Sequence, residues 1–366
     1  MCGISGFIDC KQAMTQGALR DAATRMATAL AHRGPDDAGV FSEVGIALSH
    51  RRLSVVDLSH AAHQPMQSAS GRYVISYNGE IYNTEIVRKT LSGPWRGHSD
   101  TEVLLAAIDA WGIEKTLQVI NGMFAFALWD RQEKQLTLAR DRFGEKPVYY
   151  AAIAGYFLFA SELKAMRAHP AWQASIDRTA LGLLTGYNYI PAPYTIYEGV
   201  YKLPPGHFLQ VGMDAKPRIS AYWSMEELVR RAKASSMKAD EVQQLAELET
   251  VLKDAVKARM VSDVPIGAFL SGGIDSSLIV SLMQAQASQP VRTFTIGWEQ
   301  TDYNEASHAK AVAAHLGTRH TEFIVPDAEA LKVVTELPKL FDEPFADASQ
   351  IPTYLVSKLT KQQVTW

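Results

Sequence analysis

Ser271-Gly272-Gly273-Ile274-Asp275-Ser276-Ser277 stands where an apolar run, residues 264–270, gives way to a helical pattern over residues 276–286. A strand that ends in glycines and opens a helix points successive backbone amides and the helix dipole at one spot, which suits a phosphate. The glycines allow close approach, and the hydroxyls of Ser271, Ser276 and Ser277 can donate to phosphate oxygens. No lysine follows, so this is not the Gly-x-x-x-x-Gly-Lys-Ser/Thr loop. Without that lysine on the terminal phosphates, the loop suits pyrophosphate as leaving group, hence ATP cleaved between its α and β phosphates. Asp275 can help hold a Mg2+ ion that bridges those phosphates, and no residue is assigned as a direct ligand beyond it. A strand over residues 291–296 would lie alongside, and its carboxyl end at Ile296, with Leu270, can flank an adenine in the crevice where α/β sheets bind ligands. The plain alternative is a capped turn that binds nothing; the order Ser-Gly-Gly-x-Asp-Ser directly after an apolar strand favours the phosphate.

Outward from this loop, a helix over 305–316 and a strand over 321–325 continue the alternation, which predicts a parallel, doubly wound sheet. A helical pattern with Val242, Leu245, Leu248, Leu252 and Val256 on one face opens this domain. The preceding segment is punctuated by Ile190-Pro191-Ala192-Pro193 and Leu203-Pro204-Pro205-Gly206, then turns polar over 230–240. We read residues 2–200 as one domain, 201–240 as a linker and 241–366 as a second domain.

The first domain is strand-rich, with runs at 45–49, 73–77, 123–129, 136–139, 148–152 and 156–160. Leu19, Ala22, Met26 and Leu30 mark one helix. A second covers 101–111, where Ser99 and Glu102 form a capping box ahead of Leu104, Leu105, Ile108 and Trp111. Strand clusters covered by helices imply a layered α+β domain.

This domain begins Met1-Cys2-Gly3-Ile4-Ser5-Gly6-Phe7. Removal of the initiator Met leaves Cys2 with a thiol and a free α-amine, a nucleophile and a base on one residue. Position alone does not decide this, since a Cys after Met is commonly an ordinary small residue.

The 366 residues carry 47% hydrophobic and 20% charged side chains with a net charge of -3, which fits folded domains and argues against a polyanion-binding or anionic-membrane surface. The longest apolar stretch, near 123–129, is far short of a membrane span, and no basic segment followed by an apolar core opens the chain. Two cysteines, Cys2 and Cys10, can build neither a disulfide framework nor a thiolate zinc site, and suit a reducing, cytoplasmic setting.

The order of motifs carries a resemblance. Met1-Cys2-Gly3-Ile4, His32-Arg33-Gly34-Pro35-Asp36, Arg52-Leu53-Ser54-Val55-Val56-Asp57, Tyr77-Asn78-Gly79-Glu80-Ile81-Tyr82-Asn83 and Ser99-Asp100-Thr101-Glu102 follow one another. Ala139-Arg140-Asp141-Arg142-Phe143-Gly144-Glu145-Lys146-Pro147, Ala160-Ser161-Glu162-Leu163-Lys164-Ala165 and the Ser271 loop complete the set. Nearly end to end, the chain resembles the glutamine-dependent asparagine synthetases. The resemblance implies an N-terminal-nucleophile (Ntn) hydrolase domain, a four-layer αββα sandwich, followed by an α/β parallel-sheet ATP-pyrophosphatase domain.

It further implies that Cys2 attacks the glutamine amide and that Asn78 and the Gly79 amide form the oxyanion hole. Arg52 would pair bidentately with the α-carboxylate, and Glu80 and Asp100 would accept from the α-ammonium. Asp100 is also a first-turn acid suited to the helix dipole, and the two roles are compatible. His32 and Arg33 read as residues that close a helix, and Arg140, Asp141 and Lys146 as a supporting turn network. The implied substrates are glutamine, aspartate and ATP with Mg2+; the aspartate β-carboxylate is adenylated and ammonia displaces AMP, through a passage closed to water. A homodimer is allowed; nucleic-acid and membrane partners are not implied.

Family members continue past the segment matching 358–365, so the second domain is expected to be incomplete, with a last strand over 363–366 lacking its helix. Two rival readings follow. Asp342-Glu343-Pro344-Phe345-Ala346-Asp347 and Gln350-Ile351-Pro352-Thr353 can recognise another carboxylate, such as a sugar acid, or the chain is a glutaminase alone. A non-catalytic paralogue would be expected to lose Cys2.

Overall fold

The computed structural model describes residues 1–234, 240–298 and 305–365. The chain divides into two compact units, Met1–Ser235 with Asp342–Phe345, and Ser236–Phe341 with Ala346–Trp366.

Unit 1 opens with β1 (Gly3–Asp9), α1 (Gln16–Thr28), β2 (Asp37–Glu43), β3 (Ile46–Arg52), β4 (Met66–Gln67) and β5 (Tyr73–Ile81). Then come α2 (Thr84–Arg88), α3 (Asp100–Trp111), α4 (Ile113–Val119), β6 (Gly122–Asp130), β7 (Gln135–Arg140), β8 (Tyr149–Ile153) and β9 (Tyr156–Ala160). Last are α5 (Leu163–Arg167), α6 (Arg178–Tyr187), β10 (Val200–Lys202), β11 (His207–Val211), β12 (Arg218–Ala221) and α7 (Met225–Ala234). The strands form two six-stranded sheets, ordered β10-β8-β9-β1-β3-β2 and β12-β11-β7-β6-β5-β4.

The two-residue period of the strands explains how these sheets are covered. On β1, Ile4 and Ile8 pack into a cluster shared with Val74, Ala125, Ala127, Trp129 and Leu138 of the other sheet. Phe7, on the opposite face, packs with Leu19, Ala22 and Met26 of α1 and with Leu163 and Met166 of α5. On β6 the same alternation sends Ala125, Ala127 and Trp129 between the sheets, and Phe124, Phe126 and Leu128 toward Leu104, Leu105 and Ile108 of α3. Both sheets are therefore apolar on two faces, and each such buried Phe or Leu is worth about 1.5–3 kcal/mol. The indole of Trp129 donates to Glu43 Oε1 at 2.6 Å, satisfying the one polar atom this side chain takes into the core.

Two local expectations are corrected. Ser99 does cap α3, accepting from the Glu102 amide, but Glu102 does not reach back; its Oε1 accepts from the Arg96 amide at 2.8 Å and its Oε2 from the Gly97 amide at 3.1 Å. The segment 201–240 does not begin as a linker. Strand β10 pairs with β8, β11 with β7 and β12 with β11, so the prolines there fall in the turns between paired strands, where no ladder N–H is needed. Residues 235–239 of that segment lie outside the described residues.

Unit 2 contains α8 (Glu241–Ala258), β13 (Gly267–Phe269), α9 (Ile274–Gln286), β14 (Arg292–Trp298), α10 (Ala306–Leu316) and β15 (Arg319–Val325). It ends with α11 (Asp327–Val334), α12 (Leu337–Leu340) and α13 (Gln350–Thr360). The sheet is parallel in the order β13-β14-β15, as the strand–helix alternation predicts. Of the stripe on α8 only Val256 is buried, with Leu252 packed beside it; Val242, Leu245 and Leu248 are exposed. Residues 363–365 form no strand, although the Thr365 amide donates to the Pro265 carbonyl at 3.2 Å; Trp366 lies outside the described residues.

Candidate active site and nucleotide loop

Cys2 immediately precedes β1, and its thiol lies 3.7 Å from the Leu53 carbonyl. Burial pushes the thiol pKa up; the positive N-terminus and Arg52 act against this, and Asp100 adds to it. A thiol held neutral in this way needs a base at hand before it can attack.

Arg52 ends β3 and is 6% exposed. Its Nη1 donates to the Ser59 carbonyl at 3.3 Å, and its Nη2 donates to the carbonyls of Val56 and Asp57. The bidentate carboxylate fork expected from the sequence is thus filled by backbone oxygens, leaving Nε–H and one Nη1–H. No carboxylate among the described residues makes a salt bridge with it; its cross-strand neighbour Asp37 acts on it electrostatically, and its direct partners are carbonyl dipoles.

Asn78 and Gly79 lie on β5 opposite Ala125 and Phe124 of β6. Asn78 is 2% exposed, and its Nδ2 has no hydrogen-bond partner. An unsatisfied buried donor costs about 1–3 kcal/mol, which makes it a notable feature unless something binds there. Gly79 sits so close to β6 that a Cβ would come within 2.3 Å of the Met123 carbonyl oxygen.

Asp100 opens α3 and accepts on Oδ2 from the Tyr77 hydroxyl at 2.8 Å and the Ile81 amide at 3.0 Å. Burial raises its pKa, and these two donors oppose that rise. Glu80 is half-buried on β5 and acts electrostatically on Tyr77 and Lys146. Cys2, Arg52, Asn78, Gly79, Glu80 and Asp100 therefore come from the residue before β1, the end of β3, the later part of β5 and the start of α3, all in unit 1.

The supporting turn has the structure its sequence suggests. Arg140 donates to the carbonyls of Gly144, Lys146 and Leu203, and Asp141 accepts from the amides of Phe124, Phe143, Glu145 and Lys146. His32 and Arg33 do not close a helix, since α1 ends at Thr28 with Ala29 as its cap; instead Arg33 Nε donates to the Cys2 carbonyl at 2.8 Å. The adjacency of Arg33 to Gly34-Pro35 hid this, since the contact spans the whole loop back to the N-terminus.

In unit 2, Leu270 is buried and its amide donates to the Phe294 carbonyl at 2.8 Å, placing the Ser271 loop at the carboxyl end of β13 beside β14, on which Ile296 lies. Gly272 has φ 80°, and a Cβ there would meet the Ala309 amide nitrogen at 2.6 Å, so glycine is required. Gly273 caps α9 without any side-chain bond, leaving first-turn amides available. Ser271 and Ser276 bond to each other, Oγ to Oγ at 2.9 Å, rather than standing open; Ser271 Oγ also accepts from the Gly273 amide at 3.2 Å. Asp275 is exposed in the first turn. Among the described residues no group of three or more His, Cys, Asp or Glu is placed to hold a metal ion.

Asp342 and Glu343, read from sequence as residues that can recognise a substrate carboxylate, are grouped with unit 1. Asp342 Oδ2 accepts from the Lys164 amide at 2.9 Å, while Glu343 accepts from the Ile196 amide at 2.8 Å and pairs with Lys202 Nζ at 2.8 Å. No helix among the described residues is long and apolar enough to cross a membrane.

The site thus brings together the Cys2 thiol near the N-terminus, the Asn78 side-chain amide whose Nδ2 has no hydrogen-bond partner, and a buried guanidinium that makes no salt bridge among the described residues. Residues 1–223 match the family model described as a glutamine amidotransferase domain, which sets the class. Residues 247–366 match the model described as asparagine synthase, and the chain belongs to the glutamine-hydrolysing asparagine synthetase family. It is 33% identical to a putative glutamine-hydrolysing asparagine synthetase 2 of Methanocaldococcus jannaschii, covering 100% of this chain and 73% of that protein. Asparagine synthetases 3 and 1 of Bacillus subtilis are 39% and 35% identical over 84% and 100% of this chain. The chain spans 50% and 56% of the length of those two Bacillus proteins.

Proposed function

We propose that unit 1 hydrolyses glutamine to glutamate and ammonia, and that the second unit belongs to a synthetase that amidates aspartate at the expense of ATP. The observation that carries the first half is the combination of an Asn78 Nδ2 with no hydrogen-bond partner and an Arg52 guanidinium that makes no salt bridge among the described residues, both acting with the Cys2 thiol. Both are groups whose burial is costly in the free chain and is relieved by a ligand with a developing oxyanion and a carboxylate.

Once Met1 is removed, the α-amine of Cys2 takes the thiol proton and the sulfur attacks the side-chain carbonyl carbon. The Asn78 Nδ2 and Gly79 N–H donate to the negative oxygen. Collapse expels ammonia, which carries off the proton, and leaves a thioester; water then attacks it and restores the thiol with release of glutamate. Arg52 meets the α-carboxylate with its remaining donors and its charge, and Glu80 and Asp100 accept from the α-ammonium. The layering seen around the two six-stranded sheets supports an αββα N-terminal-nucleophile hydrolase, and the parallel sheet of unit 2 supports the ATP-pyrophosphatase class.

In unit 2 the first-turn amides of α9 and the Ser271, Ser276 and Ser277 hydroxyls would hold ATP phosphates, with Leu270 and Ile296 beside the adenine. The β-carboxylate of aspartate attacks the α-phosphorus, pyrophosphate leaves, and ammonia displaces AMP. A single exposed carboxylate, Asp275, fits a Mg2+ ion that the phosphates themselves mostly coordinate, where it would neutralise the leaving group. We place the protein in the cytoplasm, where Cys2 and Cys10, both free thiols, stay reduced. Incubation with glutamine, followed by glutamate and ammonia quantification, tests the first half; no release above a Cys2→Ala control refutes it. Formation of asparagine, AMP and pyrophosphate from aspartate, ATP and glutamine tests the second.

A further inference from the structure

Asp57 joins Arg52 to the segment that leads into Asp100. It has φ 56°, an uncommon conformation for a non-glycine residue, and is 1% exposed. Its backbone carbonyl accepts from Arg52 Nη2, so the turn it shapes presents the oxygens that fix the guanidinium. Its side chain points elsewhere: Oδ1 accepts from the Ser59 amide at 3.2 Å and hydroxyl at 2.6 Å, and Oδ2 accepts from the His98 amide at 2.8 Å. A Cβ on Gly97 would come within 2.2 Å of Oδ2, so any side chain there pushes the carboxylate off its partners. His98 leads directly into Ser99 and Asp100, the cap and first residue of α3. A second strut runs parallel, since Gln64 Oε1 accepts from the Tyr77 amide at 2.7 Å and its Nε2 donates to Thr101 Oγ1 at 3.3 Å.

We infer that Asp57 is a positioning residue that sets the separation of Arg52 from Asp100, so that the pocket selects ligands bearing both the carboxylate and the ammonium of a free α-amino acid. The inference rests on the roles proposed above for Arg52 and Asp100. A backbone contact to one pole and a side-chain contact to the element carrying the other make one residue responsible for a distance. Burial raises the Asp57 pKa, but the Ser59 hydroxyl and the His98 and Ser59 amides outweigh it and the net shift is downward, so the strut is ionised at neutral pH.

The test uses the full chain and its product. Cys2 is alkylated with iodoacetamide, which carries neither pole, and the modification is read by mass spectrometry on the Cys2 peptide because Cys10 is also free. L-Glutamate is titrated as protectant in the parent, Asp57→Ala, Asp57→Asn and Gly97→Ala proteins. Gly97→Ala keeps the carboxylate but shifts it, so the comparison stands if Asp57→Ala fails to fold. The half-protecting glutamate concentration is expected to rise about tenfold in Asp57→Ala and Gly97→Ala, and less in Asp57→Asn, with unprotected alkylation rates within about twofold of the parent. Unchanged protection in Gly97→Ala, or alkylation altered as much as protection, overturns the inference. Failure of the underlying reading looks different: glutamate then leaves Cys2 of the parent unprotected and the parent releases no glutamate from glutamine.

Discussion

Arg33 Nε donates to the carbonyl oxygen of Cys2 at 2.8 Å while Arg33 Nη1 binds Glu162 Oε1 at 2.8 Å. A planar guanidinium, locked on one side by a carboxylate, therefore fixes the backbone of the residue whose thiol is to attack. Lysine keeps the charge but cannot make both contacts with one geometry. In Arg33→Lys we expect kcat for glutamate release to fall about ten- to a hundredfold with KM near the parent value, because misplacement of the nucleophile acts on the chemical step. Steady-state kinetics decide this; an unchanged kcat would reduce the contact to a structural one.

The Glu162 carboxylate also binds His32 Nε2 and Lys164 Nζ, each at 3.0 Å. Burial pushes its pKa up, but His32 and Arg33 overcome this and bring it from 4.5 down to about 2. A carboxylate depressed on folding contributes stability that is complete above the unfolded value, near 4.5, and is lost as pH falls toward 2. The difference in melting temperature between the parent and Glu162→Gln should thus hold steady above about pH 5 and narrow below about pH 4.5. A difference that widens on acidification would contradict the network.

Asn78→Ala removes a buried donor that nothing in the free chain accepts from. Its kcat should drop about 100- to 1000-fold, or 2.7–4 kcal/mol, as for other oxyanion-hole donors. Its melting temperature should stay close to the parent, since no hydrogen bond of the folded chain is lost. Joint kinetic and calorimetric measurement separates these outcomes.

Arg52→Ala should behave differently, for here three carbonyls, those of Val56, Asp57 and Ser59, lose their donor. Both stability and affinity are expected to fall, with the glutamine KM rising about a hundredfold, the equivalent of roughly 2.7 kcal/mol for a charge-assisted contact. A variant that melts lower yet binds glutamine normally would remove Arg52 from the binding site.

Gly272→Ala places a methyl against the Ala309 amide and forces an L-residue to φ 80°. Loss of about 1–3 kcal/mol of unit 2 stability is expected, together with weakened ATP binding by titration calorimetry. Retained stability with retained ATP affinity would show that the loop tolerates a side chain and does not cradle phosphate closely.

Much of this was legible because the signals are local. The alternating apolar residues of β1 and β6, the Ser99 cap and the strand–Gly–Gly–helix junction each depend on neighbours within a few positions. What the sequence hid depends on which backbone group a side chain meets once the loop around it has turned, even a few positions away. Glu102 was drawn from its capping-box role by the Arg96 and Gly97 amides, and the fork of Arg52 was filled by its own following loop. The exposed Val242, Leu245 and Leu248 follow a faultless helical period, yet a period gives a face and not the surface that meets it. Asp57 escaped notice because its carboxylate is held by the nearby Ser59 hydroxyl and amide and by the amide of His98, which lies far along the chain and shares no motif with it.

The four residues Asp342–Phe345 complete unit 1 although residues 236–341 separate them from the rest of it. On the ribosome, N-terminal domains generally fold as they emerge. Here Lys202 and the Ile196 amide must wait for Glu343, so unit 1 reaches its final form only after most of unit 2 has been translated. A gene fragment ending at residue 235 would yield a protein that lacks this late-arriving brace, and supplying the peptide 342–345 in trans would be the natural attempt at repair.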